Sequence, residues 1–370
     1  MKPKIDLIYL QAVILLLIFG ILSLYSTTFY ERILSLPNPQ GDYFKKTLTW
    51  VGIGLLVLFL SIIFPTSFYR SQFRLLGIFK FPFTGSFLLW IIFFSCLLFN
   101  VSRVLITKQV ARSTGFFQPQ EFFKYAHLFL LANLAEKGKN DWRIIVLSLL
   151  GTLALFFQRA VGTAVIFFFS CLFIFFIIRM RITYILLYTF IIGISIAIGI
   201  WKIRYARERF EQFWERKEKR KDLMRIDWRN LTHQENARIA IASGGWFGRG
   251  LGRGLQKFGF LVLVHTDFLF ANICEEMGFV GAMLILSLFF ILFWRGLLIA
   301  SAARSGFEFT VASGVSIILC LYLFVHVLVG LDILPCTGQP LPFLSYGGSA
   351  LVSNLWAAGT VLNISYSERR

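Results

Sequence analysis

The chain has 370 residues, of which 57% are apolar and only 15% charged; a globular chain carries about 25% charged residues, which excludes a water-soluble fold for most of it. A formal charge of +18 would suit nucleic acid, but Lys and Arg are spread over the breaks between apolar runs. Anionic lipid and the positive-inside rule account for that spread, and no nucleic-acid partner is expected. Cys96, Cys171, Cys274, Cys320 and Cys336 show no metal-type spacing and imply neither a disulfide framework nor a zinc site.

In chain order, apolar runs near 7–26, 47–66, 83–100, 120–135, 144–157, 163–178, 182–201, 268–294, 309–334 and 349–365 read as membrane spans, since about 20 helical residues cross a hydrocarbon core. The first follows Lys2, Lys4 and Asp6 and has no small-x-small cleavage site before Glu31-Arg32, so it is predicted to be retained. The predicted fold is all-α: a polytopic membrane protein of about ten transmembrane helices, residues 1–370 forming a single transmembrane domain. A cytoplasmic N-terminus puts fourteen Lys/Arg in the inside segments and seven in the short outside loops, so both termini are expected in the cytoplasm. One large extracytoplasmic loop, 202–267, falls outside. Its first part, 202–238, holds twelve Lys/Arg and seven Asp/Glu and is expected to lie on the headgroups as a helix or to dock a partner.

Charged residues inside apolar helices point to function, because each costs at least ~2.5–3.5 kcal/mol at a helix centre. In Gln118-Pro119-Gln120-Glu121-Phe122-Phe123-Lys124, proline suits a first helical turn, and Glu121 and Lys124, three apart, share a face and can pair. His265-Thr266-Asp267 precedes the apolar Phe268-Leu269-Phe270-Ala271, where an ordinary N-cap is the simplest reading. Upstream, Ser243-Gly244-Gly245-Trp246-Phe247-Gly248-Arg249-Gly250-Leu251-Gly252-Arg253-Gly254 is expected either to present backbone N–H groups to an anion, with Arg249, Arg253 and Lys257 supplying charge, or to form a re-entrant turn. Glu275 and Glu276 are expected to make helix-packing hydrogen bonds. The proline- and glycine-rich stretch 334–349 cannot face lipid, so it must be buried in protein or line a wet cavity.

Gln118-Pro119-x-Glu121-x-x-Lys124, Gly162-Thr163, Ile239-Ala240-Ile241-x-Ser243-Gly244-Gly245-x-x-Gly248-x-Gly250, His265-Thr266-Asp267-Phe268-x-Phe270-Ala271, Glu275-Glu276-x-Gly278-Phe279-x-Gly281 and the run at 340–348 follow one another in an order that resembles the SEDS family (shape, elongation, division and sporulation), its RodA-like members more than FtsW. The resemblance covers the chain from about residue 118 onward. It implies a ten-span peptidoglycan glycosyltransferase of the bacterial cytoplasmic (inner) membrane, acting in cell elongation and shape maintenance. Such an enzyme polymerises lipid II, an undecaprenyl-diphosphate-linked disaccharide peptide, beside a class B penicillin-binding protein.

Asp267 matches the family's essential aspartate, and Glu121 and Lys124 its acidic and basic helix residues. The implied mechanism makes Asp267 the general base on a sugar hydroxyl. Lys124, Arg112, Arg249 and Arg253 stabilise the leaving diphosphate, Glu121 holds Lys124, and His265, Thr266 and Ser345 line the substrate. A divalent cation, Mg or Mn, would suit a diphosphate, though no ligand cluster in the sequence demands one. Val262-Leu263, Arg159-Ala160 and Ala111-Arg112-Ser113 stand where the family has Pro-Glu, Pro-Asp and Arg-Arg-Trp. The alternatives are a lipid II flippase and a catalytically weak scaffold for the penicillin-binding protein.

Overall fold

The structure, a computed structural model, describes residues 5–33, 43–70, 72–75, 79–107, 118–138, 141–158, 161–202, 214, 231–258, 260–261 and 264–367. Its elements are α1 (Leu7–Ile33), α2 (Tyr43–Ile63), α3 (Ser67–Arg70), β1 (Gln72–Leu75), β2 (Phe79–Thr84), α4 (Gly85–Thr107), α5 (Pro119–Glu136), α6 (Asp141–Phe157), α7 (Val161–Ile177), α8 (Ile182–Lys202), α9 (His233–Ser243), α10 (Leu269–Ser301), α11 (Gly306–Gly330) and α12 (Gly348–Ser367). A long helix stands at each of the ten apolar segments. Residues 7–28 of α1, together with α2, α10 and α11, are long and apolar enough to cross a membrane by length and composition.

Two features depart from the sequence reading. The helix at the third apolar segment begins at Gly85 and is preceded by an antiparallel ribbon, β1 with β2, that pairs Arg74 with Lys80 and Leu75 with Phe79. The alternation in Gln72-Phe73-Arg74-Leu75 and Phe79-Lys80-Phe81-Pro82-Phe83 is the period-2 signal that predicts it. The long loop also contains a packed helix. Thr232 N–H donates to the Glu235 carboxylate at 2.8 Å at the start of α9, and Ala237 and Ala240 are fully buried. Most of the charge-dense stretch lies outside the described residues.

The bundle keeps an apolar core, around residues such as Leu16, Phe129 and Leu355, but exposes apolar side chains as well. Large apolar side chains such as Leu15, Ile18, Leu56, Phe59, Leu186 and Phe190 are exposed, while Ser148, Thr152, Asn133 and Ser353 are buried. Small residues let helices approach closely. A Cβ on Gly359 of α12 would lie 2.7 Å from Leu58 O of α2, and one on Gly20 of α1 would lie 2.7 Å from Phe343 O. At the end of the bundle far from Asp267, an ion pair joins Arg295 to Asp6, whose N–H donates to Ser365 Oγ at 3.2 Å. That contact ties α1, α10 and α12 together.

The element that positions everything else is α10. It is interrupted at Gly278, whose φ of 65° and ψ of −161° are non-helical. A break costs intrahelical hydrogen bonds, which apolar surroundings cannot replace. The glycine-rich loop replaces them. Arg249 N–H donates to Glu275 O at 2.9 Å and Gly250 N–H to Glu276 O at 2.9 Å, while Phe279 N–H donates to Gly245 O at 2.8 Å and Val280 N–H to Trp246 O at 3.1 Å. Such close approach requires glycine on both sides. A Cβ on Gly278 would collide with Gly248 N and Trp246 O, and one on Gly248 with Glu276 O. Both residues also have positive φ.

Gly278→Ala is therefore expected to lower stability by about 1–3 kcal/mol or more, from backbone strain and displacement of the loop. Gly52→Ala, where a Cβ meets nothing within 4 Å, is expected to leave it unchanged or slightly raised. Thermal unfolding of the two purified variants in one detergent checks the pair.

Candidate active site

Three segments build the site: the stretch leading into α10, the first turns of α5, and the loop between α11 and α12. The α10 segment is anchored by two buried carboxylates. Glu275 accepts from Leu255 N–H at 2.7 Å and from Gln256 N–H at 3.2 Å, with Arg249 Nε 3.8 Å away. Glu276 accepts from Ser26 Oγ of α1 at 2.7 Å and from Lys257 Nζ at 2.6 Å, and Lys257 also donates to Ser26 Oγ at 2.9 Å.

These contacts bear out the expected helix-packing role of the glutamates and speak against one of the two readings of the loop. The glutamates fasten the glycine-rich loop as well as packing a helix, and the loop's Arg249, Gly250, Leu255 and Gln256 amides are committed to α10 instead of being presented to an anion. Lys257 is buried in its ion pair. Arg249 and Arg253 are exposed on the same loop.

Asp267 lies immediately before α10 and is half-buried. The cap position belongs to Phe268, not to Asp267. Cys336 Sγ approaches Asp267 Oδ2 at 3.8 Å. The two preceding carbonyls are held by consecutive residues of the 340–348 run: Tyr346 N–H donates to His265 O at 2.9 Å and Ser345 Oγ to Thr266 O at 2.8 Å. The His265 ring stacks on Tyr43 of α2 at 4.3 Å, and Tyr43 meets Tyr346 edge-on at 4.9 Å. Burial pushes the His265 imidazole down to about 4, so it is neutral at pH 7.

The α5 side is joined through the same run. Gln118 N–H donates to Ser349 Oγ at 2.9 Å, four residues beyond the serine that holds Thr266. Lys124 Nζ donates to Glu121 at 2.7 Å and sits 4.0 Å from the centre of the Tyr322 ring of α11, with both charged groups buried. Tyr125 OH donates to Asn354 Oδ1 of α12 at 2.8 Å. On α7, Gly162 is needed because a Cβ there would lie 2.6 Å from Thr337, and Gln339 Nε2 donates to Thr163 Oγ1 at 3.0 Å. His326 Nδ1 lies 3.0 Å from Gln339 O and, facing a carbonyl, is the donor.

Every residue of the 334–349 stretch is buried or partly buried. Gln120 Oε1, the Tyr322 hydroxyl, His326 Nε2 and Gln339 Oε1 are buried with no hydrogen-bond partner among the described residues.

Of the residues singled out from sequence, Asp267, Thr266, His265 and Ser345 form one contiguous group, and the helix that carries Glu121 and Lys124 is joined to the same run where Gln118 N–H meets Ser349. Arg249 and Arg253 lie on the loop that anchors α10. Arg112, with the divergent positions Ala160 and Leu263, lies outside the described residues. Sequence reasoning missed Tyr43, Ser26 and Tyr322, whose partners are hundreds of residues away and leave no local pattern. It also passed over His326 and Gln339; a histidine inside an apolar run was the available signal. Among the described residues, no group of three His, Cys, Asp or Glu side chains is placed to hold a metal ion.

Two outcomes follow from this geometry. Glu276→Gln leaves the buried Lys257 charge unbalanced and should cost about 3–5 kcal/mol, whereas the double change Glu276→Leu with Lys257→Met should recover much of it; thermal melts of the three forms decide. His265 binds protons more readily unfolded, near 6.5, than folded, near 4. Its contribution is therefore complete above pH 6.5 and lost as pH falls through 4, to the extent of ~3 kcal/mol. His265→Phe, which keeps a ring against Tyr43, should flatten that part of the stability profile between pH 7 and 4.

Compared with known proteins, residues 6–370 match the family model of FtsW, RodA and SpoVE, described as "Cell cycle protein". The chain is 31% identical to Stage V sporulation protein E of Bacillus subtilis (strain 168), over 100% of this chain and 99% of that one. It is 33% identical to peptidoglycan glycosyltransferase MrdB of Escherichia coli (strain K12), over 67% of this chain and 68% of MrdB. Its fold matches a chain of a solved assembly described as "Structural coordination of polymerization and crosslinking by a peptidoglycan synthase complex", with a TM-score of 0.72 at 22% identity over 99% of both chains.

Proposed function

Because this chain belongs to the FtsW, RodA and SpoVE family of cell cycle proteins, we propose that it is a peptidoglycan glycosyltransferase that polymerises lipid II at the outer face of the bacterial cytoplasmic membrane. In this reading it crosses the membrane ten times with both termini in the cytoplasm, the 202–267 loop lies outside, and elongation is its cellular role. A crosslinking class B penicillin-binding protein is its partner, in keeping with the synthase complex whose fold it shares.

The observation that carries the chemistry is the half-buried Asp267 carboxylate. It is held in place by Ser345 and Tyr346 on the two carbonyls before it, in a group of segments that also holds the Lys124–Glu121 pair. Asp267 takes the proton of a lipid II sugar hydroxyl. That oxygen attacks the anomeric carbon of the growing glycan from the face opposite the diphosphate, the anomeric C–O bond breaks with inversion, and the lipid diphosphate leaves with the electron pair. Partial desolvation raises the basicity of a carboxylate toward working pH. Arg112 is assigned to the developing diphosphate charge. Lys124, held by Glu121 at 2.7 Å, contributes fixed positive potential. His265, being neutral, Thr266 and Ser345 shape the substrate side.

Reconstitution of the full chain with its penicillin-binding partner and lipid II tests the reading. Asp267→Asn should lower polymer formation by ~10²–10⁴ without shifting the melting temperature. Undiminished polymer from that variant removes the base assignment. Lipid II crossing vesicles without any polymer from the wild type would identify a flippase, and polymer made only by the partner would identify a scaffold.

A further inference from the structure

The glycine-rich loop before Asp267 is more apolar at its surface than its role of bridging the α10 break requires. Trp246 is 70% exposed, Phe247 81%, Leu251 59%, Leu255 50% and Phe260 59%. A loop in water would not hold out five such side chains, and this one is held rigidly. Its 249 and 250 amides are bonded to α10 carbonyls, its 255 and 256 amides to the Glu275 carboxylate, and Lys257 to Glu276. The side chains cannot turn inward without breaking those bonds. The patch is also continuous with the exposed apolar face of the helix it clasps. The Trp246 ring meets Phe279 edge-on at 5.2 Å, and Phe279, Val280, Met283 and Leu284 carry the exposed face along α10. Arg249 and Arg253 are exposed within the patch, where they suit phosphate headgroups.

We propose that residues 244–258, with Phe260, are a membrane-dipping wedge: Trp246, Phe247, Leu251, Leu255 and Phe260 enter the acyl boundary of the leaflet on the Asp267 side, and Arg249 and Arg253 take its phosphates. The occupant is bilayer phospholipid, because the patch prolongs a lipid-facing helix surface and its cations complement headgroups. Amphipathic elements of this kind seat their apolar side chains about 5–10 Å into the headgroup boundary. The wedge is spliced into α10, whose first turns follow Asp267, so its depth sets the height of the Asp267 carboxylate above the leaflet. This placement is independent of the chemistry assigned to Asp267.

The test puts p-benzoyl-phenylalanine in place of Phe247 in the full chain and irradiates native membranes. A phospholipid adduct, read by mass spectrometry, is the expected result; an adduct to another protein, or none, overturns the proposal. A second measurement avoids the modified residue. In liposomes containing phosphatidylcholine brominated at acyl carbons near the glycerol, wild-type fluorescence should be quenched more than that of Trp246→Phe. Equal quenching of the two places Trp246 outside the acyl region and likewise overturns it.

Discussion

The structure depends on a helix being allowed to break where a break should be forbidden. In an apolar medium each unpaired backbone group costs several kcal/mol, and the interruption of α10 at Gly278 exposes carbonyls on one side and amides on the other. Residues 245–250 answer both sets, with four backbone hydrogen bonds of 2.8–3.1 Å. The first turns of α10 are thereby freed from the direction of the rest of the helix. They lie enclosed, with every residue from Leu269 to Glu276 buried, and hold the Asp267 segment at a fixed place over the bundle.

Burial sorts the acidic groups by task. Glu275 is saturated by loop amides, Glu276 by Ser26 and Lys257, and Glu121 by Lys124. A buried ion pair is weak evidence for stability, since desolvation offsets most of the attraction, but breaking one is costly; these pairs therefore fix geometry more than they add stability. Asp267, among these four, is the one that is only half-buried.

The 334–349 stretch acts as a clasp between the two sides of the site. Its serines reach in both directions, Ser345 to Thr266 and Ser349 to Gln118, and its Gln339 reaches α7. Prolines keep it from continuing as a helix, and its irregular backbone is tolerated because protein surrounds it. The motif residues Gly162 and Thr163 gain a physical reason here: the first gives Thr337 room and the second accepts from Gln339.

Much of this was legible in the chain itself. Apolar run length located ten helices, because hydrocarbon thickness sets a length scale that sequence carries directly. Period-3 spacing anticipated the Glu121–Lys124 pair, and the proline-glycine composition of 334–349 required that it be buried in protein or line a wet cavity. The ribbon at 72–84 was legible but short, its period-2 alternation overshadowed by the neighbouring apolar runs. What the sequence could not decide was which partner each polar group takes. The glycine-rich loop has the composition of an anion cradle and the geometry of a splint, and the difference lies in the carbonyls of Glu275 and Glu276 that its amides meet. Ser26, Tyr43 and Tyr322 joined the site only when helices far apart in sequence packed together. Periodicity and composition are local properties of the chain, so they determine elements; hydrogen-bond partners and charge burial are properties of juxtaposed surfaces, which only the folded bundle brings into contact.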